Sequence, residues 1–405
     1  MTADLILSGG ILHGHGDVPL DIAIKDGRIA EIASEIRADT RRIALDGALV
    51  TAGLVETHIH LDKSCLSVPG AGTLTKAIAQ VSALKPAMTV EDITERATRT
   101  LHTCITQGTT RMRTHVEVDP AIGLRGYQAI RDLAAAHAHL IDIEICTFPQ
   151  EGLSNRLGTE ALLIETLESG AKVLGGCPYA DTDPEGHVRR LFKIARDHDV
   201  DLDFHLDFDL DPGNAALPLV CRLTTEHGME GRVTAGHVTK LSALPPDALA
   251  KMAGLMAESG VAATILPATD LFLTGRDHSH LCPRGVAPAH HLAVHGVACC
   301  LSTNNMLNPF TPYGDGSLVR IANLYANVHH LGDPQALADC LDMITRTSAK
   351  ILRLPDYGLV PGNPADLVVL DACSPQDAIA RIAPPLMAFK SGRQSFERPR
   401  PKLHL

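Results

Sequence analysis

The chain has 405 residues, with 36 Lys and Arg against 47 Asp and Glu, so its formal charge is −11 before any of its 21 histidines is counted. At 45% hydrophobic and 20% charged, the composition is that of a globular protein with a large core and fits neither the disordered nor the collagen-like class. An anionic chain with 8 Phe, 5 Tyr and no Trp offers nucleic acid neither a basic surface nor many stacking rings, so no nucleic-acid partner is expected.

The opening residues, Met-Thr-Ala-Asp-Leu-Ile-Leu-Ser-Gly-Gly, lack the basic start and long apolar run of a signal peptide. No later segment nears the roughly 20 apolar residues of a membrane helix, so a cytoplasmic protein with no membrane partner is expected. Short strands with turns fill the first fifty residues: Leu5-Ile6-Leu7, Ile11-Leu12-His13, Ile22-Ala23-Ile24 and, after the Asp26-Gly27 hairpin signal, Ile29-Ala30-Glu31-Ile32. Apolar strand-like runs then recur at residues 52–60, 109–118, 140–148, 171–177, 200–206, 231–237, 260–267 and 296–304. Residues 90–107, 122–137, 191–198 and 246–259, between them, carry apolar side chains at helical spacing. Eight β/α units over about 250 residues have the size and rhythm of a (β/α)8 barrel, while a doubly wound sheet of that length more often uses fewer strands. Strand texture returns after residues 354–357, in Ala365-Asp366-Leu367-Val368-Val369-Leu370 and Met387-Ala388-Phe389-Lys390. Because chain ends often lie close together, the two ends are expected to pair. The expected fold is thus α/β, a distorted (β/α)8 TIM barrel at residues 52–354 with a small β-sandwich built from residues 1–51 and 355–405. Ten cysteines, none in a C-x-x-C pair, read as reduced packing residues.

A barrel of this type carries its active site at the C-terminal ends of its strands. Four of the eight strands end in histidine: His58 and His60 on the first, His115 on the second, His205 on the fifth and His237 on the sixth. Alternation along the strand turns His58 and His60 to one face, where two imidazoles can hold a single metal ion. An isolated H-x-H pair is weak evidence, but three further histidine strand ends change that. Three neutral imidazoles plus a water form the minimal open zinc or iron site, in which the metal lowers the water pKa toward about 7. His115, with Arg113 and Glu117 around it, reads instead as a buried, hydrogen-bonded structural residue. The pairs His290-His291 and His329-His330 fall in helical stretches, where sequence neighbours do not face one another, and read as surface or packing residues.

Four segments together resemble the cytosine deaminase branch of the amidohydrolase superfamily, in which the N-isopropylammelide amidohydrolases are near relatives. They are Gly53-Leu54-Val55-Glu56-Thr57-His58-Ile59-His60-Leu61-Asp62-Lys63, Arg113-Thr114-His115-Val116-Glu117-Val118, Thr147-Phe148-Pro149-Gln150-Glu151-Gly152 and Arg232-Val233-Thr234-Ala235-Gly236-His237. Gly358-Leu359-Val360-Pro361-Gly362-Asn363-Pro364-Ala365-Asp366-Leu367 matches the family's re-entry into the split β-domain. The resemblance implies a hydrolase of C–N bonds in nitrogen heterocycles that uses one divalent metal ion. Zinc and ferrous iron both suit imidazole ligands. It further implies His58, His60 and His205 as metal ligands, His237 beside the metal-bound water, and Gln150 on a ring carbonyl or amide.

Two departures stand out. The branch's strand-five pattern is His-x-x-Glu, but here His205-Leu206-Asp207-Phe208 puts Phe208 at the glutamate; the N-isopropylammelide relatives also lack it. The superfamily's strand-eight aspartate is replaced by Asn304, whose amide oxygen can meet a metal but cannot take a proton as a carboxylate does. Cytosine itself is therefore disfavoured as substrate, and three residues remain open as the base. Asp207 shares the face of His205 if the strand continues; His237 is an imidazole, the side chain best suited to accept and return a proton near pH 7; Lys63 could act if desolvated. Lys63, Gln150, Asn305 and Arg276 are the candidate substrate-binding residues, Arg276 or His278 lying in a polar loop that equally reads as plain surface. The rival reading is a non-hydrolytic ligand-binding descendant. A homo-oligomer is expected because such assemblies are common among soluble enzymes, although no segment marks an interface.

Overall fold

The computed structural model describes residues 3–404. Eight parallel strands run in sequence order: Leu54–Ile59, Thr109–Glu117, Asp142–Phe148, Val173–Gly176, Asp201–Leu206, Val233–His237, Ala262–Ile265 and Cys299–Leu301. Each lies within one of the eight predicted runs. The eighth strand is only three residues long and makes no regular ladder with the first. Closure depends on a single bridge between Ile59 and Asn304, in which the His60 N–H donates to the Asn304 carbonyl at 3.0 Å and the Asn304 N–H to the His58 carbonyl at 2.8 Å. Side chains complete the seam: the Thr57 N–H donates to Ser302 Oγ at 3.0 Å, and the Thr303 N–H to Glu56 Oε1 at 3.0 Å. The result is a distorted (β/α)8 barrel.

Helices cover the outside. Val90–Thr106 starts where the Thr89 side chain accepts the Asp92 N–H, and it buries Ile93, Ala97, Leu101 and Cys104 at helical spacing. Pro246–Ser259 matches its predicted span. The helix predicted at 191–198 is longer, Pro184–Asp197, because Asp183 caps the Gly186 N–H and Pro184 occupies the first turn. Its early turns are polar, so apolar period alone starts it late. At the mouth of the first strand Gly53 is required: a Cβ there would lie 1.9 Å from the Thr110 hydroxyl.

The chain ends form a second sheet, ordered Arg393–Glu397, Pro385–Lys390, Leu367–Leu370, Leu49–Ala52, Leu5–Leu12, Leu20–Lys25 and Arg28–Ala33, with Arg41–Ala44 also on Leu5–Leu12. Antiparallel pairing of Leu49–Ala52 with Leu367–Leu370 joins the two ends over a core that includes Leu7, Ile22, Val50, Val369 and Phe389. Charge fixes this small domain to the barrel. Lys390 Nζ donates to Asp366 at 2.6 Å and to Asp142 of the third barrel strand at 2.7 Å, while Arg111 of the second reaches Asp366 at 3.2 Å. All ten cysteines are free, eight of them buried, and among the described residues no helix is long and apolar enough to cross a membrane.

Both cations share Asp366 and Asp142, and Asp366 is the more deeply buried of the two carboxylates. D366A is expected to lower stability by about 3 kcal/mol, as loss of one partner of a buried ion pair does, read as a lower urea midpoint. An unchanged midpoint would mean that the ion pairs do not hold the two parts together.

Candidate active site

The first strand delivers His58 and His60, and the fifth delivers His205. His205 Nε2 lies 3.1 Å from His58 Nε2 and 3.0 Å from His60 Nε2. His60 Nδ1 is 3.2 Å from the His115 carbonyl, to which it donates, so its Nε2 lone pair faces the other two rings. His58 turns Nδ1 toward Asp203, 3.8 Å away, and Asp203 is in turn held by Arg113 Nη1 at 2.9 Å. Burial first, then the crowding of the imidazoles against one another, pushes all three well below their ordinary pKa and favours the neutral form. Three neutral nitrogens converging at this spacing suit a divalent cation. The fit extends to Asn304, whose Oδ1 is buried without a hydrogen-bond partner.

His237 ends the sixth strand in a left-handed conformation, φ +69°, and Val238 after it is also left-handed at φ +43°. Two consecutive residues of this kind, one β-branched, are costly and are often found at functional sites. The turn aims the ring. Nδ1 of His237 lies 2.6 Å from Oδ1 of Asp270, a buried residue of the short helix Pro267–Leu273 that follows the seventh strand. Burial raises the pKa of Asp270, and His237 opposes the rise. With Nδ1–H donated to Asp270, Nε2 is free to accept. It lies 3.5 Å from Asn304 Nδ2, and the ring stacks on Phe208 with centroids 4.0 Å apart.

Between these groups is a small cavity whose lining includes His60, Lys63, Gln150, His205, Phe208, His237, Asn304 and Asn305. Gln150 is fixed from both ends, its Oε1 accepting from Lys63 Nζ at 3.1 Å and its Nε2 donating to Cys177 Sγ at 3.2 Å. Asn305 Oδ1 accepts from Asn308 at 2.7 Å.

The residues named from sequence therefore converge with two exceptions. Asp207 does not enter the cavity. The strand ends before it, at Leu206; Asp207 turns to φ +51°, and its two oxygens accept the N–H groups of Ala216 (2.8 Å) and Leu217 (3.1 Å) at the start of helix Leu217–Glu226. The alternation that would have carried it inward stops one residue too soon. Arg276 is exposed, donates to the Phe272 carbonyl at 2.7 Å and stacks on that ring at 4.5 Å; like His278 it belongs to an outer surface loop. His115 is buried, but neither ring nitrogen has a hydrogen-bond partner; the ring stacks on His58 at 3.7 Å. His290 and His329 meet across two helices, their rings 5.0 Å apart, as packing residues beside Tyr325.

Asp270 was missed. Its signal was its place as the first acid after the seventh strand, at the end of the barrel where function is expected, but three residues beyond Pro267 it looks like an ordinary first-turn helix acid.

The sequence profile of the amidohydrolase family matches residues 71–395. The N-isopropylammelide isopropyl amidohydrolase of Pseudomonas sp. (strain ADP) is 29% identical over 403 residues, 96% of each chain. The pterin deaminase of Rhizobium rhizogenes (strain K84) is 26% identical over 388 residues, 93% of this chain and 88% of that one. Among solved structures, the 5-methylcytosine deaminase from Klebsiella pneumoniae liganded with 5-fluorocytosine superposes with a TM-score of 0.93 at 30% identity, covering 99% of both chains.

Because Asp207 caps a helix, D207A is expected to cost about 1 kcal/mol in urea unfolding while leaving metal content and turnover near wild type. Loss of turnover at unchanged stability would return Asp207 to the chemistry.

Proposed function

The chain belongs to the amidohydrolase family, in its cytosine deaminase-like branch, and we propose that it hydrolyses a C–N bond of a small nitrogen heterocycle with His237 and Asp270 as its acid–base pair. The observation that carries this reading is the 2.6 Å contact between the two. A divalent cation such as zinc or ferrous iron, held by His58, His60 and His205 with the Asn304 amide oxygen beside them, would supply Lewis acidity and lower the pKa of a water toward about 7.

Proton transfer falls to the chain's own residues. Asn304 cannot accept the proton that the usual strand-eight aspartate takes. His237 Nε2 can, because Asp270 fixes the proton on Nδ1 and stabilises the imidazolium that forms. The imidazolium then returns the proton to the departing nitrogen. Gln150 and Lys63 orient the ring from the opposite wall. Phe208 leaves the position of the branch's glutamate apolar, which removes the shuttle that cytosine chemistry uses and supports a substrate other than cytosine.

The relatives named for single-ring compounds, N-isopropylammelide and 5-methylcytosine, support a one-ring substrate.

On a panel of amino-substituted pyrimidines and triazines, D270N is expected to lower kcat about 100-fold or more with KM and metal content little changed. Full turnover by D270N would remove the pair from the reaction. Asn304 favours one second reading, a ligand-binding protein without turnover; rings that bind the metal-loaded protein but are never hydrolysed would support it.

A further inference from the structure

No Asp or Glu lines the cavity, and Lys63 is its one ammonium. Lys63 is 2% exposed, and its Nζ lies 2.5 Å from Glu117 Oε1, 3.1 Å from Gln150 Oε1 and 4.6 Å from the centroid of Phe310. Glu117 is not its counter-ion alone. Lys85 Nζ sits 2.6 Å from Glu117 Oε2 and also binds Asp119 at 2.6 Å and Glu151 at 2.7 Å. Charge thus alternates outward from the cavity: Lys63, Glu117, Lys85, then the two outer carboxylates. The positive end of the row faces the cavity.

Asp119 and Glu151 match Lys85, so Glu117 serves as the counter-ion of Lys63, and it stands behind the ammonium, outside the cavity lining. An ammonium carries three donors; Glu117 and Gln150 take two, and Gln150 is neutral, which leaves a charged donor for a ligand in the cavity. The other polar groups of the lining are imidazoles, amides and hydroxyls, none of which brings negative charge.

We propose that the cavity selects a ring whose Lys63-facing edge is anionic, a deprotonated imide or ring hydroxyl, over a neutral or amino-bearing edge. The inference rests on the reading of this cavity as the substrate site and adds the charge of the substrate. Glu117 and Lys85 act as positioning residues for the ammonium.

The test is calorimetric titration of the purified full-length protein with barbiturate, a ring anion at neutral pH, and with uracil, a neutral ring of the same frame. Wild type is expected to bind barbiturate at least about tenfold more tightly. K63M should cut that preference about tenfold, and K63R should retain it. Equal affinity of the two rings for wild type, or a preference unchanged in K63M, overturns the charge selection and leaves the ring site standing. K63Q takes the place of K63M in the comparison if K63M does not fold. Failure of both rings to bind overturns the inference together with the reading of the cavity on which it rests.

Discussion

The closure of the barrel between its first and eighth strands is the constraint on which the site depends. The eighth strand is too short to ladder with the first, so the seam is made by residues just beyond it, and these are the residues of the site. Asn304 receives the His60 N–H and gives its own N–H to the His58 carbonyl, with Thr57, Ser302, Glu56 and Thr303 bonding alongside. His58, His60 and Asn304 are therefore placed by the same hydrogen bonds that hold the barrel shut. Asn304 takes φ +64°, a conformation that Asn and Asp tolerate better than most residues, and its backbone is fixed while its amide oxygen stays unpartnered.

Around that seam the buried carboxylates are withdrawn from the cavity by one layer. Asp203 stands behind His58 with Arg113 at its back, Asp270 behind His237, and Glu117 behind Lys63 with Lys85 beyond it. Each acts on the cavity through the residue it holds. The two acids that the family resemblance places at the reacting centre are absent, and in the proposed reaction one is compensated at a distance, by a carboxylate that sets the protonation of an imidazole. In the proposed reaction a dication among neutral ligands, with the inward-facing ammonium, would make this an electropositive site in a chain whose formal charge is −11.

Much of this was legible in the sequence because barrel strands are apolar runs and functional groups stand at their ends. The eight runs and the histidines of strands one, five and six could be found that way; Lys63 stands three residues after His60, and Gln150 was implied by the family resemblance. Asp207 was misplaced because alternation holds only while a strand lasts, and this one ends at Leu206. The left-handed turn at Asp207 has no sequence signature as plain as a glycine. Asp270 and Lys85 were hidden for a different reason. Their significance is a distance: Asp270 meets His237 from 33 residues away, and Lys85 meets Glu117 from the preceding β/α unit. Neither residue differs, in type or local pattern, from an ordinary helix acid or surface lysine.

The central claim is that Asp270 sets the protonation of His237. Nitrogen-15 NMR of the His237 side chain tests it most directly. The account predicts a neutral ring with its proton on Nδ1 and Nε2 bare, and loss of that fixed tautomer in D270A. A ring protonated on Nε2 in the wild-type protein, or a tautomer unaffected by D270A, would contradict it.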